Sequence, residues 1–193
     1  QNADAALLER LLRAGAPVSQ SGNSGAPLLV EAVSAGERPI VELLLRSDAP
    51  VNAADADGRT ALMVAAARDD LPLLELLLKS GAATGARDAK GRDSVMQAAL
   101  SGAGKTLQRL LAAGIPAVGA DAEGNTILAA AAARGLADQV PALLAAGANV
   151  NAANRYGATP LMQAASADQL AVVEALLRAG ADVNLRDRQR FPA

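Results

Sequence analysis

The chain has 193 residues, of which 51 % are hydrophobic and only 1 % aromatic, with a formal net charge of −2. The slightly acidic balance excludes a general electrostatic attraction to nucleic acid or to acidic membranes, and the absence of cysteine excludes a disulfide framework and thiol chemistry. With one Phe, one Tyr and no Trp, a thick core of the usual aromatic kind is out of reach, and many small aliphatic contacts between successive elements of an elongated architecture suit the composition better.

Self-similarity organises everything else. Gly58, Gly91, Gly124 and Gly157 stand 33 residues apart, and Gly25 extends the series backward. The same step relates Leu29, Leu62, Val95, Leu128 and Leu161, and also Ala32, Ala65, Ala98, Ala131 and Ala164. Leucine pairs recur from Leu11–Leu12 to Leu176–Leu177, followed by Gly15, Gly81, Gly114, Gly147 and Gly180, with Asp48 standing in once.

In chain order, the first element is a second-helix pattern over residues 4–13, half of a unit. Pro39, like Pro72 one unit later, falls in the first turn of a helix, where its missing N–H costs little. Thr60 N-caps a short helix through Ala67, and Asp69–Asp70 form a turn read as a solvated helix start. A second helix runs from about Leu71 to Lys79, with Leu73, Leu74, Leu77 and Leu78 on one face. Gly81 ends it in the left-handed conformation. An extended stretch with an Asp-rich turn then leads into the next unit. Pro141 lies deeper in its helix than Pro39 or Pro72, still within the first turn. Alanine pairs such as Ala65–Ala66 and Ala131–Ala132 leave room for close helix approach. Each helix pair is too thin to bury its own face, so stability comes from interfaces between neighbours.

Two motifs carry a family resemblance. Thr159-Pro160-Leu161-Met162-Gln163-Ala164-Ala165 differs from the TPLHxAA signature only at the His, and Gly147-Ala148-Asn149-Val150-Asn151 and Gly180-Ala181-Asp182-Val183-Asn184 are similar to its GADVN segment. The chain thus resembles the ankyrin family over nearly its whole length. That resemblance implies an all-α ankyrin-repeat solenoid in one domain, about five full helix pairs plus an N-terminal half repeat, with short β-hairpin-like turns between repeats. The units run approximately 1–21 (partial), 22–54, 55–87, 88–120, 121–153, 154–186 and 187–193 (partial). Where the signature has His, this chain has Val30, Met63, Met96, Ala129 and Met162. Gly85 and Gly119 are read as replacing the Asn found at Asn52, Asn151 and Asn184, which loosens the turns around the third unit. Arg190 occupies the Gly column, and the pattern leads the chain to fray or to have been cut there.

Several patterns imitate chemistry. Residues 99–106 fit a relaxed phosphate loop ending in Gly104-Lys105-Thr106, but that loop needs a strand before it, and the pattern here places a helix there. The column of Met63, Met96 and Met162 reads as core filling rather than copper ligation. Asp55, Asp88, Asp121 and Asp187, with Asn154 in the same column, read as turn residues that bond their own backbone rather than as acid, base or metal ligand. Without His or Cys, no Ser-His-Asp or Cys-His arrangement exists, and no lysine is convincingly paired with a serine. No enzyme, cofactor or metal is expected. Ile127 to Ala133, the best apolar run, is seven residues long, far short of the about 18 that a membrane span needs. The start at Gln1, without Met or a signal-like segment, is read as a boundary or a processed end. Either a cytoplasmic or an exported location suits the composition, and the abundance of alanine fits a high-GC bacterial source.

In the ankyrin family partners lie on the concave face, made of hairpin tips and first helices. Carried over by register, the resemblance points to Arg59, Arg68, Lys90, Arg92, Leu100, Glu123, Asn125, Arg134, Arg155, Tyr156, Arg186 and Arg188. Tyr156 beside Arg155 is the first hot-spot candidate, since interfaces favour Tyr and Arg. The expected function is a non-catalytic protein-binding module, monomeric when unbound, with no nucleic-acid partner. An adaptor, an effector segment or an immunity-type inhibitor would all qualify. The alternative is a regulatory or targeting fragment of a larger enzyme.

Overall fold

The structure, a computed structural model, describes residues 26–188. The expected helix over residues 4–13, the glycines at 15 and 25, and the tail from residue 189 lie outside them. Ten α-helices follow one another in pairs among the described residues. The first helices of the pairs, here called inner, are α1 (Leu28–Ala35), α3 (Ala61–Ala67), α5 (Ser94–Ser101), α7 (Ile127–Ala133) and α9 (Pro160–Ser166). The second or outer ones are α2 (Arg38–Arg46), α4 (Leu71–Lys79), α6 (Gly104–Ala112), α8 (Val140–Ala145) and α10 (Leu170–Arg178). Isolated antiparallel bridges, Ala54 with Thr60 and Ala120 with Thr126, close hairpin-like turns between pairs.

The helix limits follow from local chemistry. Thr60, Thr126 and Thr159 each accept at Oγ1 the N–H of the residue three ahead, at 3.1–3.4 Å, and Asp93 does so through its carboxylate at 2.9 Å. One orphan donor is thereby satisfied at the start of each of those inner helices. Pro39, Pro72 and Pro141 all fall at the first or second helical position. For Pro141 this is possible because residues Ala137–Gln139 form a 3-10 turn and the α-helix begins only at Val140. Asp48, standing in the glycine column, adopts the same left-handed φ, +59°, a conformation that Asp tolerates better than most side chains.

Inner helices stack on one another in order, α1 on α3, α3 on α5, α5 on α7 and α7 on α9, and each also packs on its own outer helix. The alanine column allows this: Ala65, Ala98, Ala131 and Ala164 are fully buried between successive inner helices. The leucine column Leu44, Leu77, Leu110, Leu143 and Leu176 is fully buried as well and links outer helices into the same continuous core. Met63 and Met96 are buried, as core filling requires, whereas Met162 is half-buried.

Two sequence readings need correction. Asp69 is not a solvated helix start; its carboxylate accepts the N–H of Thr106 in the next unit at 2.9 Å, while Asp70 alone caps α4 through Leu73 N–H at 3.0 Å. The second concerns Gly119. The fixed 33-residue step places Val118, not Gly119, in the Asn column. The column's role is visible at Asn52 and Asn151, whose side-chain oxygens accept Ala83 N–H (2.7 Å) and Asp182 N–H (2.9 Å) from the following unit. Gly85 lacks such an oxygen, and the residue it would reach, in register with Ala83 and Asp182, is Pro116, which has no N–H to offer. Gly119 is instead closely packed: a Cβ there would meet an Asp93 carboxylate oxygen at 3.1 Å and the Arg87 guanidinium at 3.3 Å.

Ser94, 2 % exposed, has a hydroxyl with no hydrogen-bond partner, in the column occupied by Ala61 one unit earlier. A buried hydroxyl left unpaired costs free energy. Ser94→Ala is therefore expected to raise stability by about 0.5–1 kcal/mol, which urea denaturation measures.

Candidate functional site

Each hairpin tip is built by one side chain. Asp55, Asp88, Asp121 and Asn154 accept, through Oδ1, the backbone N–H groups two and four residues ahead, at 2.8–3.0 Å. The turn so closed places Gly58, Gly91, Gly124 and Gly157 at φ between +76° and +82°. Glycine is needed there twice over, because the next tip's backbone also approaches closely. A Cβ on Gly157 would lie 3.0 Å from Asp187 Cα, and one on Gly58 would lie 3.1 Å from Ala89 N.

That approach makes a ladder between tips. Ala89 N–H donates to Asp57 O (2.8 Å), Ala122 N–H to Lys90 O (2.8 Å), Arg155 N–H to Glu123 O (3.1 Å) and Arg188 N–H to Tyr156 O (2.9 Å). One bond per unit fixes the tips in a single row, so side chains in one column become neighbours along a line.

The expected partner-binding residues divide by what holds them. Arg59 and Arg92 turn back onto their own tips: Arg59 pairs with Asp55 at 2.9 Å, and Arg92 with Asp88 at 2.6 Å. Arg92 is only 23 % exposed and Asp88 1 % at the side chain, and Asp88 Oδ2 also accepts from Gln97 Nε2 at 2.8 Å. Burial of Asp88 opposes its ionisation, but the Arg92 side chain and the backbone N–H groups of Arg92 and Lys90 outweigh it and hold the carboxyl below its ordinary value. Arg68 and Arg134 form stitches between inner helices, donating to Ser34 O (2.8 Å) and Leu100 O (2.6 Å) of the preceding unit. Asn125 donates to Asp121 at 2.9 Å and accepts from Asn154 Nδ2 at 2.7 Å.

Lys90, Glu123, Arg155, Tyr156, Arg186 and Arg188 remain outward and exposed. Four of the expected residues, Leu100, Glu123, Asn125 and Tyr156, meet at one groove of about 360 Å³ between the tips and inner helices of neighbouring units. Its floor is Ala129, Ala130 and Ala133, and its polar rim includes Asn154 and Gln163. Asn154 and Gln163 were missed from the sequence. The inner-helix columns carried over by register, those of Leu100 and Arg134, fall in this unit at Ser166 and Ala167, three and four residues beyond Gln163. Two larger grooves, about 630 and 730 Å³, lie on the opposite side, flanking the short helix α8.

The phosphate-loop imitation resolves into a turn. The segment before it is helix α5, and the Thr106 hydroxyl, which such a loop would turn toward a metal ion, is fully buried and donates to Ala66 O at 2.8 Å. No group of three His, Cys, Asp or Glu among the described residues is placed to hold a metal ion. No helix among them is long and apolar enough to cross a membrane.

Stacked helix pairs with a ladder of Asp- and Gly-built tips define a helical-repeat protein. The family described as ankyrin repeats (3 copies) matches residues 1–88 and 95–187, and the chain belongs to it. Ankyrin repeats are generally protein–protein interaction modules, and the fold is typically non-catalytic. No curated protein matches this chain.

Proposed function

We propose that this chain is a non-catalytic module that binds a partner protein on the face made by its hairpin tips and inner helices, with the Tyr156 groove at the centre. The observation that carries the reading is the groove itself. It joins an apolar floor to a rim of amide and carboxylate groups, a composition suited to one inserted side chain with oriented polar neighbours. Beside it Tyr156 is 60 % exposed, and a large aromatic left in water on a ridge of polar tips is what an interface anchor looks like before binding. The unbound chain is monomeric in this reading. The same face would serve a chain that targets or regulates a linked catalytic domain, and the reading frame on either side of residues 1 and 193 distinguishes that case.

An affinity pull-down from the native host tests the proposal, using the parent beside an Arg155→Glu, Tyr156→Ala variant. Arg92 is left intact, because it partners Asp88. A protein retained by the parent and lost by the folded variant supports the assignment, with a loss of about 2 kcal/mol or more at Tyr156. A protein held equally by both places the binding surface elsewhere.

A further inference from the structure

The last two tips carry a local positive surplus that the acidic chain as a whole does not, with Arg155, Arg186 and Arg188 set against Asp187 alone. Arg155 and Arg188 occupy one column on adjacent tips, flanking Tyr156, whose carbonyl accepts Arg188 N–H at 2.9 Å. Arg186 lies two residues before Arg188, and all three arginines are exposed. None of them has a carboxylate within ion-pair distance among the described residues, whereas Arg59, Arg87 and Arg92 on earlier tips all do. The nearby tip carboxylates offset this charge in part without pairing with these arginines. Asp187 lies between Arg186 and Arg188 in sequence, Asp121 closes the turn of its own tip, and Glu123, whose carbonyl accepts Arg155 N–H at 3.1 Å, lines the groove with Tyr156.

Three guanidinium groups without an ion pair among the described residues, beside one exposed phenol ring, give the last two tips a net positive character. We infer that the partner segment recognised here is acidic, an Asp- or Glu-rich stretch of protein laid along the last two tips with an apolar side chain against Tyr156. This rests on the tip-face reading above and adds the partner's charge to it. Guanidinium groups suit carboxylates because they offer paired donors in a plane. An arginine without an internal partner also has no intramolecular ion pair to break before it binds. A nucleic-acid strand is the less fitting polyanion, since a single tyrosine offers no series of stacking platforms and the cations form no stripe along the row.

The test is fluorescence polarisation of a labelled ten-residue peptide of glutamate with a central leucine, with its lysine counterpart and a ten-nucleotide single strand as comparison probes. The acidic peptide is expected to bind saturably. Affinity should fall about tenfold in Arg155→Glu with Arg188→Glu, and severalfold again as salt rises from about 50 to 300 mM. Glu123→Gln should tighten it, and Lys105→Glu, on helix α6, should leave it unchanged. These side chains are solvent-exposed, so the variants should fold, which circular dichroism checks. Failure of the acidic peptide to bind, or tighter binding of the oligonucleotide, overturns the inference. If the lysine peptide binds instead and is lost in Tyr156→Ala, the face is right and its polarity wrong. If the acidic peptide is lost in Lys105→Glu but not in the tip variant, the inference and the face assignment both fall.

Discussion

Replacing Asp88 by alanine is expected to lower the stability of the chain by about 3 kcal/mol. The carboxylate is 1 % exposed and holds the Arg92 guanidinium, the Gln97 amide and two backbone N–H groups at 2.6–2.9 Å. Alanine leaves all of these donors in place, and those that are buried stay without an acceptor. Asparagine is expected to cost about half as much. The chain contains the precedent: Asn154 closes its own tip with the same two backbone bonds, at 2.9 and 3.0 Å, where the Arg92 column has become Ala158. Urea denaturation of Asp88→Ala, Arg92→Ala and the double variant closes the cycle, and the double variant should fall well short of the sum. The pH dependence has a definite sign. A carboxyl held below its ordinary value stabilises the fold above the unfolded value, near 3.8, and that contribution is lost as pH falls through the lowered folded value. The parent should thus lose stability below about pH 4, and Asp88→Asn should flatten that part of the curve.

Leu110→Ala is expected to cost about 3–4 kcal/mol. Leu110 is fully buried in the middle of the leucine column, and α6 packs on α4 before it and α8 after it. Alanine there opens a cavity at the base of both interfaces. In a stack whose stability is a sum of neighbour terms, weakening two central interfaces uncouples the N-terminal from the C-terminal units. The transition should broaden, with a lower m-value, rather than merely shift. A midpoint shift under 1 kcal/mol with an unchanged slope would contradict this.

What could be read in the sequence was what repeats. The period fixed which residues share a column, and the leucine, alanine and tip-glycine columns lie in the structure where a stack of helix pairs needs them. The Asp column was legible because a short side chain that bonds its own backbone acts within five residues. What failed to show were contacts that run from one unit to the next. Thr106 reads as the end of a phosphate loop, yet its partners Ala66 and Asp69 belong to the previous unit. A left-handed column in the helix-joining turns, Gly36, Asp69, Gly102, Gly135 and Asp168, also went unread, because Asp stands in it twice.

The candidate face divides in the same way. Tyr156, Glu123, Asn125 and Leu100 were reachable by register alone. The inward ties of Arg59 and Arg92 had a signal that went unused, since Arg follows Asp by four residues in both tips and is absent where Asp becomes Asn154. The stitches made by Arg68 and Arg134 had none, because nothing in one unit announces a carbonyl offered by the unit before it.

The most direct test of the account is hydrogen–deuterium exchange on the chain with and without the protein retained in the pull-down. Binding through the tips and inner helices predicts new protection in peptides covering residues 122–134 and 154–166, with α8 and α10 unchanged. Protection confined to residues 137–146 and 170–179, which line the grooves flanking α8, would put the partner on the opposite side and contradict the assignment.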